Sequence, residues 1–116
     1  MRNFVNYISK DSNWELGKKN KDCNYVCEKE KNGARCDNSK MSQLTSADLV
    51  KSAFDAYGYD CKKMEEREGS GTPFSGNPPG TCVFFKESTC DGDAVKDQRN
   101  LCYCGNQNDQ KNNIQP

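Results

Sequence analysis

The cysteines are the residues of this chain whose type and number most clearly define its chemistry. The 116 residues include eight cysteines and no histidine, so the commonest catalytic base and metal ligand is missing. An even number of cysteines with irregular spacing predicts four disulfides, whose pairing the sequence leaves open. These cysteines are Cys23, Cys27, Cys36, Cys61, Cys82, Cys90, Cys102 and Cys104.

Metal binding and redox chemistry are the alternative uses of cysteines. Structural zinc sites favour Cys-x-x-Cys pairs or cysteines combined with histidines, and thioredoxin-like sites need the Cys-x-x-Cys spacing. No such pair occurs, so we expect neither a metal site nor a cofactor. Asp91, Asp93 and Asp97 offer oxygen ligands for calcium, but their spacing differs from that of an EF-hand loop. A hydrophilic turn is the preferred interpretation of these acids.

Catalysis by the remaining residue types has little support. A serine nucleophile without histidine would need a lysine or carboxylate base, and no Gly-x-Ser-x-Gly motif occurs. Glu65, Glu66 and Glu68 lie in a charged segment, where solvent would surround them and not tune them for acid–base work. The sequence therefore predicts that the protein is not an enzyme.

The charge pattern and the cysteines together restrict partners and compartment. Seventeen basic and seventeen acidic residues are interleaved, so no basic stripe forms and nucleic acid is not an expected partner. Disulfides persist in oxidising compartments, which predicts a secreted or cell-surface protein. Residues 1–16 lack the apolar core of a signal peptide, and no stretch is long enough for a membrane span. We therefore expect a mature or recombinant fragment whose export signal lies upstream.

Two helices would position the first half of this framework. Asp22 can cap a helix over residues 23–31, which Asn32-Gly33 ends, and the four-residue spacing of its two cysteines places both on one face. A second helix follows a cap at Thr45 or Ser46 and stops before the glycine at position 58. Its apolar stripe is predicted to be core and consists of Leu49, Val50, Ala53, Phe54 and Tyr57. A partner-binding groove for Phe54 and Tyr57 is the alternative.

The second half of the chain predicts a loop followed by strands. Residues 62–80 are rich in Gly, Ser and Pro in their later part and predict a long exposed loop, where function often lies. The β-branched and aromatic segments at 81–85 and 101–104 predict strands. The fold class is therefore small disulfide-rich α+β, with two short helices packed on a small antiparallel sheet. We expect a single domain at 14–104, an N-terminal extension at 1–13, and a polar, disordered tail at 105–116.

Aromatic side chains are the candidates for partner contact. Trp14, the only tryptophan, is expected to pack on a disulfide or the core, with stacking on a sugar as the alternative. The other candidates for contact with a glycan or a protein are Tyr25, Tyr59, Phe74 and Tyr103, and the tyrosines are expected to be exposed. The sequence singles out none of them.

The order of these residues resembles a known module. The matching positions are Trp14, Gly17, Cys23, Cys27, Cys36, Cys61, Cys82, Cys90 and the closing Arg99-Asn100-Leu101-Cys102-Tyr103-Cys104. This pattern is similar to the cysteine-rich module at the C-terminal end of the branching N-acetylglucosaminyltransferase of type V, and in extracellular proteins of algae and protists. The resemblance covers about residues 14–104 and rests chiefly on cysteine spacing. Tyr103 departs from it, because relatives commonly carry proline there.

The resemblance implies a binding module and carries over no catalytic residue, because the transferase's catalytic domain is absent. The leading hypothesis is a non-catalytic extracellular recognition module that binds a protein or glycan partner. The alternative is a freely diffusing secreted signal, such as a pheromone-like or effector protein, acting through a receptor. A protease inhibitor or toxin would need a stiff exposed loop, and the Gly and Ser content of residues 64–80 argues against one.

Overall fold

The computed structural model describes residues 13–105, so the predicted extension and tail lie outside it except at residues 13 and 105. The helices are α1 (Cys23–Glu30), α2 (Asn38–Met41) and α3 (Ala47–Tyr57). The strands are β1 (Trp14–Leu16), β2 (Arg35–Cys36), β3 (Lys63–Gly71), β4 (Phe74–Gly76), β5 (Thr81–Ser88) and β6 (Leu101–Gly105). The predicted α+β class with four disulfides is confirmed. A third helix and a second sheet are added to it.

Helix α1 has the predicted cap and stop. The Asp22 carboxylate accepts a hydrogen bond from the backbone N–H of Tyr25 at 3.0 Å, which satisfies one of the free donors at the helix start. Beyond the helix, Asn32 and Gly33 have φ angles of 57° and 80°. This left-handed conformation turns the chain out of the helix.

Two disulfides fasten α1 to strand β6. Four helical residues advance about 6 Å and two strand residues about 7 Å, so cysteines at these spacings can meet in register. The two cross-links are Cys23–Cys102 and Cys27–Cys104. All four of these cysteines are buried, and with Val26 and Ala34 they form one of the clusters of the core.

The other two disulfides hold the middle of the chain. Cys36–Cys90 joins β2 to the segment after β5, and Cys61–Cys82 joins the segment after α3 to β5. No cysteine of the chain is left free. Four disulfides in a domain of this size indicate an oxidising environment, such as the extracellular space.

Helix α3 begins and ends where the sequence predicts. The Ser46 hydroxyl accepts a hydrogen bond from the backbone N–H of Leu49 at 3.2 Å. At the other end, Gly58 has a φ of 109°, a left-handed conformation that suits glycine. Both signals are local to a few residues, which is why the sequence reveals them.

The apolar stripe of α3 is only partly buried. Val50, Ala53 and Phe54 are at most 3% exposed and belong to the core, whereas Leu49 and Tyr57 are 46% and 38% exposed. The prediction that the whole stripe is core is therefore wrong for these two residues. The helix packs against β1, β3 and β5, and the flanks of the stripe lie beyond the surface that these strands cover.

Helix α2 is a single turn that the sequence analysis does not predict. The Asp37 carboxylate caps it by accepting hydrogen bonds from the backbone N–H groups of Ser39 at 2.9 Å and Lys40 at 3.3 Å. Its Met41 side chain is fully buried. Four residues are too few to show a helical period, so this element escapes pattern analysis.

The first sheet has the strand order β1–β6–β2 and is antiparallel throughout. Trp14 at the start of β1 lies opposite Tyr103 in the middle of β6. The pairing continues one residue outward, where the Asn13 carbonyl accepts a hydrogen bond from the Cys104 N–H at 2.9 Å. Strand β6 is thus the central strand, with a partner on each side.

The second sheet occupies most of the predicted loop. Its order is β3–β5–β4, with β3 parallel and β4 antiparallel to β5. The prediction of an exposed loop over residues 62–80 is therefore wrong for strands β3 and β4. Strand β3 lies at a sheet edge, and its charged side chains form ion pairs in solvent, Glu65 with Arg67 and Glu66 with Lys86. An edge strand of this composition has the sequence character of a loop.

The two sheets meet where β4 runs beside the start of β6. The Ser75 N–H donates to the Arg99 carbonyl at 2.9 Å, and the Leu101 N–H donates to the Pro73 carbonyl at 2.8 Å. The Arg99 side chain points to β1, where its Nε donates to the Gly17 carbonyl at 2.8 Å. The core that spans both sheets and α3 includes Leu16, Val50, Phe54, Cys82, Phe84 and Leu101.

Candidate binding groove

An open groove of about 460 Å³ lies between helix α3 on one side and helix α2 with the first sheet on the other. We call it the α3 groove. The residues that line it are Trp14, Lys40, Gln43, Leu44, Leu49, Ser52, Ala53, Asp55, Ala56 and Tyr103. It combines apolar walls, an aromatic pair and charged side chains, so we consider it as a contact site.

The aromatic end of the α3 groove is rigidly held. Trp14 and Tyr103, which are opposite each other on β1 and β6, pack edge to face with ring centroids 4.9 Å apart and an interplanar angle of 83°. The Asn13 amide donates a hydrogen bond to the Tyr103 hydroxyl at 3.1 Å. Edge-to-face packing fixes the ring positions and adds to the energy of burial. Trp14 is only partly buried and remains available at the groove surface.

One face of helix α3 forms the opposite wall of the groove. Ser52 and Ala53 follow Leu49 by three and four residues, and Ala56 follows them by four and three, so all four lie on one face of the helix. Three of these side chains are small, which leaves room above them. Leu49 projects at the edge with 46% of its surface exposed. The wall therefore offers an apolar side chain next to a depression.

The charged groups of the α3 groove differ in their surroundings. Lys40 Nζ lies 5.8 Å from the centroid of the Tyr103 ring, a cation–π distance. Asp55 lies on α3 with its carboxylate 3.6 Å from Lys51 Nζ, one turn earlier on the same helix. Within residues 13–105, Lys40 makes no ion pair at this kind of distance.

Two carboxyl groups that do not line the groove have shifted pKa values. A hydrogen bond from the Ser39 hydroxyl, at 2.6 Å, is the main cause that lowers the pKa of Asp37. Burial raises the pKa of Glu15 on β1, and the ammonium of Lys31, 3.8 Å away, only partly offsets this effect. The main cause is therefore burial for Glu15 and a hydrogen bond for Asp37.

The structure brings together two of the five aromatic candidates, Trp14 and Tyr103. Tyr25 lies on α1, half-buried, with Lys21 Nζ 4.4 Å from its ring centroid. The Tyr59 hydroxyl accepts a hydrogen bond from the Gly80 N–H at 2.9 Å, and its ring packs against the core. These two rings therefore already have intramolecular contacts outside the groove.

The side chains of two of these candidates, Phe74 and Tyr103, are buried. Phe74 is 5% exposed and packs against Phe85, with centroids 6.3 Å apart, and β4 lies between β5 and residues 99–101. Tyr103 is 8% exposed, so the expectation of an exposed ring is wrong. It lies on the central strand β6, where the Trp14 ring packs against it and Lys40 Nζ lies over the ring, and it lines the groove.

Sequence reasoning missed most of the groove wall. The sequence pattern predicts Leu49 in the core and does not single out Lys40, Gln43 or Ala56 as contact residues. The helical spacing of Leu49, Ser52 and Ala56 is visible in the sequence, but it does not indicate that α2 stands opposite. That proximity depends on tertiary packing and carries no sequence signal of its own.

The acidic turn after β5 has a structural explanation. The Thr72 hydroxyl accepts a hydrogen bond from the Gly92 N–H at 2.9 Å and donates one to the Thr89 carbonyl at 2.7 Å, which holds the turn in place. Within residues 13–105, no group of three or more Cys, Asp or Glu side chains is arranged to hold a metal ion. In the same part of the chain, no helix has the length and apolar character to cross a membrane.

Comparisons of the chain with family models, with curated proteins and with solved structures found no match.

Proposed function

We propose that this protein is a non-catalytic extracellular recognition module that binds its partner in the α3 groove. The observation that carries the proposal is the groove itself, where an exposed apolar side chain and a fixed aromatic pair adjoin a depression. Ligand sites are typically clefts with apolar and aromatic walls and a few polar groups, and the α3 groove has this character. The resemblance to the cysteine-rich module of the type V transferase supports the same function and stays a proposal.

The scaffold is suited to such a role. Disulfides fix the strand that carries Tyr103 on both sides of that residue, through Cys102 and Cys104. A contact surface that is already ordered loses little conformational entropy when a partner binds. A freely diffusing secreted signal would use the same surface on a receptor, and this alternative stays a prediction.

The test is to block the groove and screen for ligands. Ser52 is exposed and small, so Ser52→Trp places a bulky ring in the groove without disturbing the core. Asp48→Trp adds the same ring on an exposed position of α3 that does not line the groove. Both variants and the wild type are screened against a glycan array and a display library of short random peptides.

We expect ligands that bind the wild type and Asp48→Trp with similar affinity and bind Ser52→Trp at least tenfold more weakly. Circular dichroism and intact mass under non-reducing conditions check that all three proteins fold and keep four disulfides. Ligands that bind all three proteins equally would overturn the groove as the site. So would the absence of any ligand from both libraries.

A further inference from the structure

The carboxylate and the ammonium that line the α3 groove differ in whether they form an ion pair within residues 13–105. Its carboxylate, Asp55, lies 3.6 Å from the Lys51 ammonium. Its ammonium, Lys40, has no ion-pair partner within residues 13–105, and the neighbouring Asp37 carboxylate accepts hydrogen bonds from Ser39 and from the Lys40 backbone. The groove therefore presents one cation without a contacting counter-charge beside an aromatic ring.

The walls of the groove favour a hydrocarbon occupant. Leu44, Leu49, Ala53 and Ala56 offer no hydrogen-bonding side chains, so a sugar placed against them would leave hydroxyl groups without partners. An apolar side chain would instead cover the exposed surface of Leu49 and gain the free energy of burial. The polar groups of Gln43 can hydrogen-bond a peptide backbone at the rim.

We propose that the α3 groove takes a segment of a partner protein in which an apolar side chain stands next to a carboxylate. The apolar side chain lies between Leu49 and the Trp14 ring, and the carboxylate lies at the Lys40 ammonium. This inference rests on the proposed function and specifies its ligand class. A protein segment is favoured over a glycan because the walls are apolar and the Lys40 ammonium has no ion-pair contact within residues 13–105.

The test uses small probes that differ only in charge. Trp14 is the sole tryptophan, so its indole N–H gives one resolved signal in a proton–nitrogen correlation spectrum and reports on the groove. The probes are 4-phenylbutanoate, the neutral 4-phenylbutanamide, the cationic 4-phenylbutylamine and methyl N-acetylglucosaminide. We expect the carboxylate to shift the signal with an affinity about two- to fivefold above that of the amide, the range of an exposed ion pair.

A pair of variants isolates the ammonium. Lys40→Gln should abolish the preference for the carboxylate and leave binding of the neutral amide unchanged. Lys19→Gln removes the same charge at an exposed position outside the groove and should keep the preference. A preference that survives in Lys40→Gln would overturn the inference, as would equal binding of the carboxylate and the amide to the wild type.

The outcomes also separate this inference from the proposed function. If the phenyl probes bind without regard to charge, the groove remains a contact site and the assignment of its ligand is wrong. If only the sugar shifts the indole signal, the partner is a glycan and the assignment is again wrong. If no probe shifts the signal, both the ligand class and the groove itself are contradicted.

Discussion

Glu15 and Asp37 are two carboxyl groups on which folding acts in opposite directions. Glu15 loses solvent when β1 pairs with β6, and this burial raises its pKa above 4.5. Asp37 gains hydrogen bonds from Ser39, which lower its pKa below 3.8. The native state therefore holds the Glu15 proton more tightly than the unfolded chain does, and it holds the Asp37 proton less tightly.

The first prediction concerns Glu15→Gln. Because folding raises the pKa of Glu15, its charged form lowers stability above that pKa, and the loss is fully relieved below pH 4.5. The unfolding free energy of the wild type, relative to that of the variant, should therefore increase as pH falls from 7 towards 4.5. Urea unfolding at several pH values measures this difference.

A matched variant controls for the loss of charge alone. Glu28→Gln removes a carboxylate from the exposed side of α1. The relative gain at low pH should be larger for the comparison with Glu15→Gln than for the comparison with Glu28→Gln. A wild type that loses stability relative to Glu15→Gln on acidification would contradict the prediction.

Helix α1 lies close to the end of β1 because Gly17 has no side chain. A Cβ atom added at Gly17 would lie within van der Waals overlap of the Val26 side chain, which is fully buried in α1. The Gly17 carbonyl also accepts the hydrogen bond from Arg99 Nε. Any shift that relieves the overlap would therefore disturb this hydrogen bond as well.

The second prediction tests this contact with a double-mutant cycle. Gly17→Ala should destabilise the protein by about 1–3 kcal/mol through overpacking. Val26→Ala should cost about 2 kcal/mol through the cavity that it leaves. Because the added methyl group occupies part of that cavity, the double variant should cost less than the sum by at least about 0.5 kcal/mol. Urea unfolding of the four proteins gives the coupling.

The control partner for this cycle is Val83→Ala. Val83 is buried in β5 of the second sheet and is not among the atoms that crowd Gly17. The costs of Gly17→Ala and Val83→Ala should add. Additive costs in the cycle with Val26 would show that the two residues do not restrain each other.

The elements differ in how far local sequence specifies them. The caps of α1 and α3 were predictable because Asp22, Ser46 and Gly58 act on their own neighbours. Strand β3 was not, because its partner β5 begins eighteen positions later in register and its exposed edge carries charges. In the α3 groove, Trp14 and Tyr103 were predictable as contact candidates. The exposure of Leu49 was not, because it depends on how α3 packs against the other elements.

At the scale of the whole molecule, some of the disulfides contribute to stability independently of each other and others do not. Cys23–Cys102 and Cys27–Cys104 close nearly the same loop, with sequence separations of 79 and 77. Once one of them is formed, the other closes only a small additional ring. Cys61–Cys82 closes a shorter loop of its own, nested within the long one, with a sequence separation of 21. In the chain-entropy view, the first two bridges therefore share most of their effect on the unfolded chain.

The third prediction follows from this shared loop. Replacing both cysteines of either bridge by alanine should cost about 2–3 kcal/mol, because the remaining bridge still closes the long loop. Removing both bridges should cost more than the sum of the two single losses. Urea unfolding under non-reducing conditions measures all three proteins and the wild type.

The comparison is removal of Cys61–Cys82 together with Cys23–Cys102. These two cross-links close different loops, so their combined loss should be closer to the sum. A double loss of the α1 bridges that equals or falls below the sum would show that they act independently of each other.

The pairing of β1 with β6 also determines how the described domain can be attached to other chains. Because Trp14 lies opposite Tyr103, the polypeptide enters and leaves side by side. A domain with adjoining entry and exit can replace a surface loop of a host protein without spreading the host's flanking residues. Since Trp14 also lines the α3 groove, the point where the chain enters the described domain lies beside the groove.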